Sequence, residues 1–307
     1  MLWPWFGMLE AKAMDIGRLG VWASTESMSA AEAASFAKRV EAWGYPALWL
    51  PEAVGRNVLV HSAWLLAKTE KLVIATGIAN IYARDPMTMA AAQLTLAEQS
   101  GGRFLLGIGV SHTRLVEGVR GHVYEKPIAK MRSYIEGMNQ AMYIAPRSAE
   151  KPPLILAALR PRMLALSAEL ADGAHPYNVT PEHTAEARAA LGPGKLLCPE
   201  QMVLLETDPA TARAAGRKTL AIYLGLPNYR DNLVRYGFTD TDFDNGGSDR
   251  LIDALIAWGD EDAIRRRIKD HWDAGADHVC IQALRSDGDG QKAPDERIFE
   301  LLAPTAN

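Results

Sequence analysis

The sequence predicts a single (β/α)8 barrel with insertions that spans residues 1–307 as one domain. Eight short apolar segments alternate with helix-like segments over roughly 280 residues, which is the rhythm and size of such a barrel. The turn after the first of these segments, WASTESMS, contains no glycine. The alternative fold, a doubly wound sheet, would more often have a Gly-rich dinucleotide-binding fingerprint at this turn. Both observations favour the barrel.

The clearest repeating unit lies between residues 72 and 112. Residues 72–78 are apolar and β-branched, as expected for a strand that is buried on both faces. Asp85 and Pro86 then combine a helix cap with a proline at the first helical position, and Gly101 ends that helix. A second apolar strand follows at 103–109. Two parallel strands joined by a crossover helix form a βαβ unit.

The other strands and helices follow the same pattern along the chain. A capping box at Ser29 and Glu32 begins the first helix, and Thr180 and Asp208 each precede a proline at a helix start. The remaining predicted strands are 15–22, 47–51, 153–158, 174–178, 202–206 and 277–284. The remaining predicted helices cover 30–43, 57–68, 130–144, 161–172, 181–191, 209–223, 260–275 and 295–302.

Two segments interrupt this pattern. Residues 225–258 form a predicted helical insertion between strands seven and eight, with helix-like pieces at 230–236 and 248–258. Residues 1–14 form a predicted N-terminal extension, which contains an acid and lacks the basic start of a signal peptide.

Composition and charge argue against a nucleic-acid-binding or membrane-spanning protein. Hydrophobic residues make up 48% and charged residues 23% of the chain, and the net charge is −4 without any long block of like charge. These values argue against a nucleic-acid surface. No apolar run is long enough to span a membrane. Cys198 and Cys280 lie in apolar strand-like runs, so we expect buried free thiols and a reducing, cytoplasmic location.

The residues that follow the strands should form the rim of one pocket, because ligands bind at the carboxyl ends of barrel strands. This set mixes aromatic, acidic, imidazole and small side chains, which suits a planar organic small molecule with polar edges. It contains no spacing typical of a metal site. The rim residues are Trp22, Glu52, Gly77, Ile78, Ala79, Asn80, Ser111, His112, Ala157, Ala158, Leu159, Arg160, His175, Pro176, Tyr177, Glu206 and Gln282.

His112 and Glu52 are the candidate catalytic residues. Histidine titrates near neutral pH, so His112 can act as an acid or a base. A loop histidine that bonds a backbone carbonyl is the equally good alternative. Glu52 directly follows a buried strand, and its structural alternative is to cap the next helix or to pair with Arg56.

Four further residues have predicted binding roles. Arg160 precedes a helix whose first N–H groups can hold a phosphate, although a plain surface arginine fits as well. Trp22 and Trp49 could line a substrate pocket, although a tryptophan near a strand end is more often part of the core. Ser111 is a candidate pocket residue, and its GVSH context lacks the second glycine of a nucleophile elbow.

Several segments together resemble the luciferase-like flavin and deazaflavin superfamily, and more narrowly its F420-dependent oxidoreductases. The similarity covers about residues 15–285. The segments that carry it are LWLPEA, ATGIANIYARDPMTMAAAQLTLAEQSGGRFLLGIGVSH, ILAALRPRML, DGAHPYNVTPEH and GDEDAIRRRIKDHWDAGADHVCIQAL.

The resemblance implies where a deazaflavin, coenzyme F420, would bind. Its ring would lie against a bulge of strand three that includes Ala79 and has a non-prolyl cis peptide at Gly77–Ile78. Asn80 would touch the ring or the ribityl chain. His175 and Tyr177 would complete the rim, and residues 157–160 (Ala157, Ala158, Leu159 and Arg160) would surround the phosphate.

The resemblance also implies the chemistry, which is hydride transfer between the deazaflavin and a carbonyl compound, an alcohol or an activated double bond. His112 falls where sugar-phosphate dehydrogenases of the family have an acidic proton donor, so it would exchange the proton. Glu52 would be an orienting acid near the ring. Ala53 falls where those dehydrogenases have a catalytic histidine, which argues against that activity. The family further implies a homodimer.

Two alternative functions stay open. One is an FMN-dependent monooxygenase of the same superfamily. The other is a non-catalytic protein that binds a flavin or deazaflavin.

Overall fold

A computed structural model describes residues 14–289 and 293–304, so most of the predicted N-terminal extension falls outside it. The strands are β1 (Leu19–Trp22), β2 (Ala47–Leu50), β3 (Val73–Thr76), β4 (Ala79–Asn80), β5 (Phe104–Gly109), β6 (Leu154–Leu156), β7 (Gly173–Ala174), β8 (Leu196–Leu197), β9 (Glu200–Leu205), β10 (Ile256–Gly259) and β11 (Val279–Ala283).

Helices separate these strands. They are α1 (Ala30–Ala42), α2 (Val58–Leu66), α3 (Pro86–Gln99), α4 (Thr113–Val116), α5 (Pro127–Asn139), α6 (Pro161–Leu170), α7 (Pro181–Leu191), α8 (Pro209–Leu224), α9 (Pro227–Arg235), α10 (Asp249–Leu255), α11 (Glu261–Asp273) and α12 (Glu296–Leu301). The capping box at Ser29 and the caps at Asp85 and Asp208 are present as predicted.

The strands form one parallel sheet that closes into the predicted barrel. Its order is β10-β9-β11-β1-β2-β3-β5-β6-β7-β8, and β4 pairs with β5. The chain passes from β8 to β9 through only Cys198 and Pro199. The N–H of Cys198 donates to the carbonyl of Ala174 on β7, and the N–H of Cys280 on β11 donates to the carbonyl of Pro199. This segment therefore joins the two ends of the sheet.

The prediction of one helix over 248–258 was wrong at its C-terminal end. α10 stops at Leu255, and Ile256 to Gly259 form β10, which pairs in parallel with the top of β9. A short apolar run suits a buried strand as well as a helix, so its periodicity could not distinguish them. Pairing with the edge of β9 stabilises this segment as a strand. The two-residue strand β8 was also missed, because it is too short to show a pattern.

The barrel interior is mostly apolar, but some polar side chains, such as His175 and His278, are buried in it. Trp49, Leu105, Ile155 and their neighbours fill it. The indole N–H of Trp49 donates to Nε2 of His278, at 3.0 Å. A larger apolar layer packs the helices on the outside of the strands. No helix within residues 14–289 or 293–304 combines the length and apolar character that a bilayer crossing requires.

Candidate active site

A cavity of about 1160 Å³ opens at the carboxyl ends of the barrel strands. All but three of the residues with a predicted catalytic, cofactor-binding or substrate-pocket role line it. Those that do are Trp22, Glu52, Gly77, Ile78, Ser111, His112, Ala157, Ala158, Leu159, Arg160, His175 and Tyr177. Most of the predicted rim thus comes together in space, whereas its members Pro176, Glu206 and Gln282 do not line this cavity.

Trp49, Ala79 and Asn80 lie beneath the cavity and not on its wall. Trp49 is fully buried, stacks on the ring of His175 at 4.6 Å and bonds to His278, so its assignment to the substrate pocket was wrong. Ala79 and Asn80 pair with β5, and Oδ1 of Asn80 accepts the N–H of Tyr82 at 2.9 Å. The side chain of Asn80 therefore shapes the floor from below.

The floor of the cavity is the junction between β3 and β4. The Gly77–Ile78 peptide bond is cis, as the family resemblance implied. The carbonyl of Gly77 accepts the indole N–H of Trp22 at 3.1 Å. A Cβ atom at Gly77 would lie 3.0 Å from Nε2 of His175, and one at Gly109 would lie 2.6 Å from Cδ1 of Ile78. A side chain at either position would therefore have to displace its neighbours, so the two glycines let His175, Trp22 and Ile78 pack closely against this floor.

Glu52 holds this floor in place. Its carboxylate forms an ion pair with Arg84, and the two side chains are only 4% and 7% exposed. It also accepts the N–H of Asn80 at 2.8 Å and the N–H of Val58, at the start of α2, at 3.3 Å. Glu52 therefore contacts the start of α2, although the cap residue of that helix is Asn57, and its ionic partner is Arg84 and not Arg56. Glu52 ties the end of β2 to the bulge of the neighbouring strand.

His112 lines the cavity at the start of α4. Burial lowers the pKa of His112, and a hydrogen bond with the side chain of Asn228 acts in the opposite direction. The imidazole is therefore neutral at pH 7 and can accept a proton. Its ring lies 5.6 Å from the ring of Tyr229 on α9.

His175 presents a hydrogen-bond acceptor at the cavity floor. Its Nδ1 lies 2.7 Å from the carbonyl oxygen of Cys198, which can only accept, so Nδ1 carries the hydrogen. Burial lowers the pKa of His175 to about 4, so the ring is neutral. Nε2 is then a bare acceptor, and it is buried without a partner in the protein. A ligand N–H or O–H could satisfy it.

Three tyrosines form the wall opposite the floor. Tyr177 was predicted, but Tyr223 on α8 and Tyr229 on α9 were not. The hydroxyl of Tyr177 lies 2.9 Å from the hydroxyl of Tyr223 and 2.9 Å from Oε1 of Gln282. No local motif marks Tyr223 or Tyr229. Their segment lies at the end of α8 and in the predicted insertion, which the sequence did not place relative to the pocket.

Basic side chains surround the mouth of the cavity. Lys126, Arg132, Arg160 and Arg162 all line it. Arg160 pairs with Asp231 at 3.2 Å, and both side chains are at least half exposed. Arg160 is also the N-cap residue of α6 and makes no side-chain cap bond there. Helix N-termini and arginine side chains both attract anions.

Within the described ranges, no cluster of three or more His, Cys, Asp or Glu side chains is placed to hold a metal ion.

The sequence model of the luciferase-like monooxygenase family matches residues 12–278. The chain belongs to this family. A putative coenzyme F420-dependent oxidoreductase of Mycobacterium tuberculosis is 27% identical to it, over 88% of this chain and 95% of the relative. The family membership inferred from sequence is therefore confirmed.

Solved structures of the family share the barrel. A coenzyme F420-dependent tetrahydromethanopterin reductase from Methanopyrus kandleri superposes with a TM-score of 0.74 at 19% identity, over 94% of this chain and 98% of that one. The oxygenating constituent of 3,6-diketocamphane monooxygenase from Pseudomonas putida, in complex with FMN, gives 0.67 at 13% identity, over 94% and 97%. At these identities the two structures establish the fold alone.

Proposed function

We propose that this protein is an F420-dependent oxidoreductase that moves a hydride between the deazaflavin and a small organic substrate. The substrate class is an alcohol, a carbonyl compound or an activated double bond. The observation that carries the proposal is the pairing of a bare backbone floor at Gly77–Ile78 with a neutral histidine, His112, in one deep cavity. Similarity to a putative F420-dependent oxidoreductase over most of both chains supports the choice of cofactor.

The residues present fit a deazaflavin. Gly77, Ile78 and Gly109 line the cavity, so a flat ring could lie against this part of its wall. The unpartnered Nε2 of His175 would accept a hydrogen bond from a ring N–H. The start of α6 and the side chains of Arg160 and Arg162 would hold the phosphate at the cavity mouth. When bound, the deazaflavin supplies a ring carbon that exchanges a hydride and reacts poorly with oxygen.

His112 handles the proton in this proposal. Because burial keeps the imidazole neutral, it is ready to accept the proton of a substrate hydroxyl as the alcohol is oxidised. In the reverse direction the protonated imidazole returns the proton to the new alkoxide oxygen. Asn228 lines the same cavity, and its side chain partly offsets the effect of burial on the pKa of His112.

Glu52 acts as a positioning residue and not as a proton carrier. Its carboxylate is already shared between Arg84 and two backbone N–H groups, and its side chain is almost fully buried. It orients the strand bulge on which the ring would rest, and it thereby serves the orienting role expected from the sequence.

The experiment that tests the proposal follows hydride transfer directly. The purified protein is mixed with reduced F420 under argon and a panel of ketones, aldehydes and enones, and oxidised F420 is followed by its absorbance. A second panel uses oxidised F420 with alcohols. Turnover that depends on both cofactor and substrate supports the proposal. Absence of turnover with F420, together with oxygen-dependent turnover with reduced FMN, would refute it.

An FMN-dependent monooxygenase is the second candidate. The observation that favours it is the shared barrel of an FMN-bound monooxygenase, with a TM-score of 0.67. The oxygen-dependent arm of the same experiment tests it.

We further propose that the protein is a homodimer in the cytoplasm. The outer face of α2 is apolar, since Val60 and Trp64 are 70% and 40% exposed, whereas its polar residues His61 and Ser62 are buried. Val54 before this helix and Met87 on the adjacent α3 are also exposed. A surface of this kind is typical of a protein interface. The two buried free thiols, Cys198 and Cys280, fit a reducing compartment.

A further inference from the structure

The cavity has two parts that differ in charge. Its aromatic lobe consists of Trp22, His112, Tyr177, Tyr223 and Tyr229, which are buried or half-buried. Its mouth carries basic side chains, of which Lys126, Arg160 and Arg162 are exposed and Arg132 is half-buried. The phosphate of the proposed cofactor accounts for the basic mouth. Trp22 and Tyr177 adjoin the floor on which the cofactor ring would rest, whereas the cofactor does not account for His112, Tyr223 and Tyr229.

The five rings of the lobe form a continuous wall. Ring centroids lie 5.4 Å apart between Trp22 and Tyr177, and 5.3 Å apart between Tyr177 and Tyr223. Tyr223 meets Tyr229 edge to face at 5.6 Å, and Tyr229 lies 5.6 Å from His112. The wall therefore runs from the cavity floor at Trp22 to the proton-handling group at His112.

The wall satisfies much of its own hydrogen bonding. The hydroxyl of Tyr177 bonds to Tyr223 and to Gln282. The indole N–H of Trp22 is taken up by the carbonyl of Gly77. These groups need no polar partner from a ligand, so the wall mainly offers ring faces and edges.

None of the described side chains in this lobe carries a formal charge at neutral pH. Burial raises the pKa of the tyrosines Tyr177, Tyr223 and Tyr229 and lowers that of His112. The carboxylate of Glu52 nearby is paired with Arg84. A carboxylate or ammonium group on a substrate would lose its hydration here without gaining a partner of opposite charge, which is costly.

We propose that the aromatic lobe binds an uncharged, ring-sized alcohol or the corresponding carbonyl compound, and that Tyr229 determines this specificity. The substrate ring packs on Tyr229 and Tyr177, and its oxygen lies beside His112. This inference rests on the proposed function and adds the substrate class to it. Oxidation removes a hydride from the carbinol carbon and a proton from the oxygen, so that the C–O bond becomes C=O. The hydride acceptor is the deazaflavin, and the proton acceptor is His112.

The test compares substrates that differ in one feature. Methyl 4-hydroxycyclohexanecarboxylate and its free carboxylate have the same ring and nearly the same size, but only the second is charged. Cyclohexanol and 3-hexanol have the same carbon count, but only the first has a ring. We expect kcat/KM to favour the neutral ester over the carboxylate, and cyclohexanol over 3-hexanol, each by about tenfold or more.

Variants of Tyr229 test whether this residue causes the preference for a ring-sized substrate. Tyr229→Ala should raise KM for cyclohexanol about tenfold and remove the preference for the ring, whereas Tyr229→Phe should keep KM within about threefold. Tyr236→Phe is the matched control, because Tyr236 directly follows the same helix, bonds to Glu186 and does not line the cavity. It should leave the substrate preferences unchanged.

Equilibrium binding separates failure of this inference from failure of the proposed function. Cyclohexanone and 4-oxocyclohexanecarboxylate are titrated into the protein with and without F420, and quenching of tryptophan fluorescence is recorded, since Trp22 lies in the lobe. If F420 neither binds nor reacts, the proposed function fails, but the ketone comparison still tests the lobe. Equal or tighter binding of the carboxylate, or an unchanged ketone affinity in Tyr229→Ala, would overturn the inference.

Discussion

Replacing Glu52 with glutamine should destabilise the protein strongly, because the change leaves a buried guanidinium without its counter-charge. Arg84 and Glu52 are 7% and 4% exposed, so water cannot replace the lost partner. Removing one member of such a buried pair costs about 3–5 kcal/mol. Glutamine also cannot keep all of the contacts with Arg84, Asn80 and Val58 that the carboxylate makes. We therefore expect Glu52→Gln to lower the free energy of unfolding by about 3 kcal/mol or more.

Urea unfolding followed by tryptophan fluorescence measures this loss, and the chain provides a matched control. Glu296 forms a comparable two-bond pair with Arg39, but these side chains are 31% and 45% exposed. Glu296→Gln should therefore cost less than about 1 kcal/mol. The double variant Glu52→Gln/Arg84→Met should recover part of the loss, since it removes the unpaired charge.

Equal losses in Glu52→Gln and Glu296→Gln would refute this reasoning. Unchanged stability of Glu52→Gln with a large loss of turnover would show instead that Glu52 takes part in the chemistry.

Three further predictions follow from the same structure. His112→Ala should lower turnover about 10²-fold while the dissociation constant for F420 stays unchanged. The control variant His122→Ala, in an exposed loop, should retain turnover. Equal turnover in both variants would remove His112 from the mechanism. Burial raises the pKa of Glu200 to about 8, so between its unfolded value of 4.5 and pH 8 the folded chain holds a proton that the unfolded chain releases. The free energy of unfolding should therefore fall as pH rises from 5.5 to 7.5, by up to about 1.4 kcal/mol per pH unit. Urea titrations should show that Glu200→Gln removes this part of the pH dependence. The same pH dependence in Glu200→Gln and in the unmodified protein would contradict the prediction. Val60→Glu should convert the proposed dimer to a monomer in size-exclusion chromatography with light scattering, whereas Ile222→Glu, at a similarly exposed apolar position on α8, should not; a dimeric Val60→Glu would contradict an interface at α2.

The barrel could be predicted from sequence because its signals are local. Helix starts at Ser29, Asp85 and Asp208 are encoded by a cap within a few residues, and the apolar strands between them set the alternation. β10 was not predictable in this way, because the run that forms it is stabilised by the distant edge of β9 and not by its own pattern.

The residues of the candidate site show the same difference between local and distant determinants. Residues directly after strands, such as Gly77, His112 and His175, were predictable because strand ends share one rim. The side-chain direction of Trp49 was not, since a strand-end tryptophan can point up to the rim or inward to the core. Tyr229 comes from an inserted helix, and one of its ring contacts is with Tyr177, which lies far away in the chain. The partners of Glu52 likewise depend on where β4 places the N–H of Asn80.

The most direct test of the central claim is an equilibrium titration of the purified protein with oxidised F420 and, separately, with FMN. The eight tryptophans of the chain provide the fluorescence readout, and Trp22 lies in the cavity itself. We predict saturable quenching by F420 at concentrations well below those needed for FMN. Tighter binding of FMN than of F420 would contradict the account and favour the monooxygenase. Absence of binding by either would contradict the assignment of Gly77, His175 and Arg160 to a cofactor site.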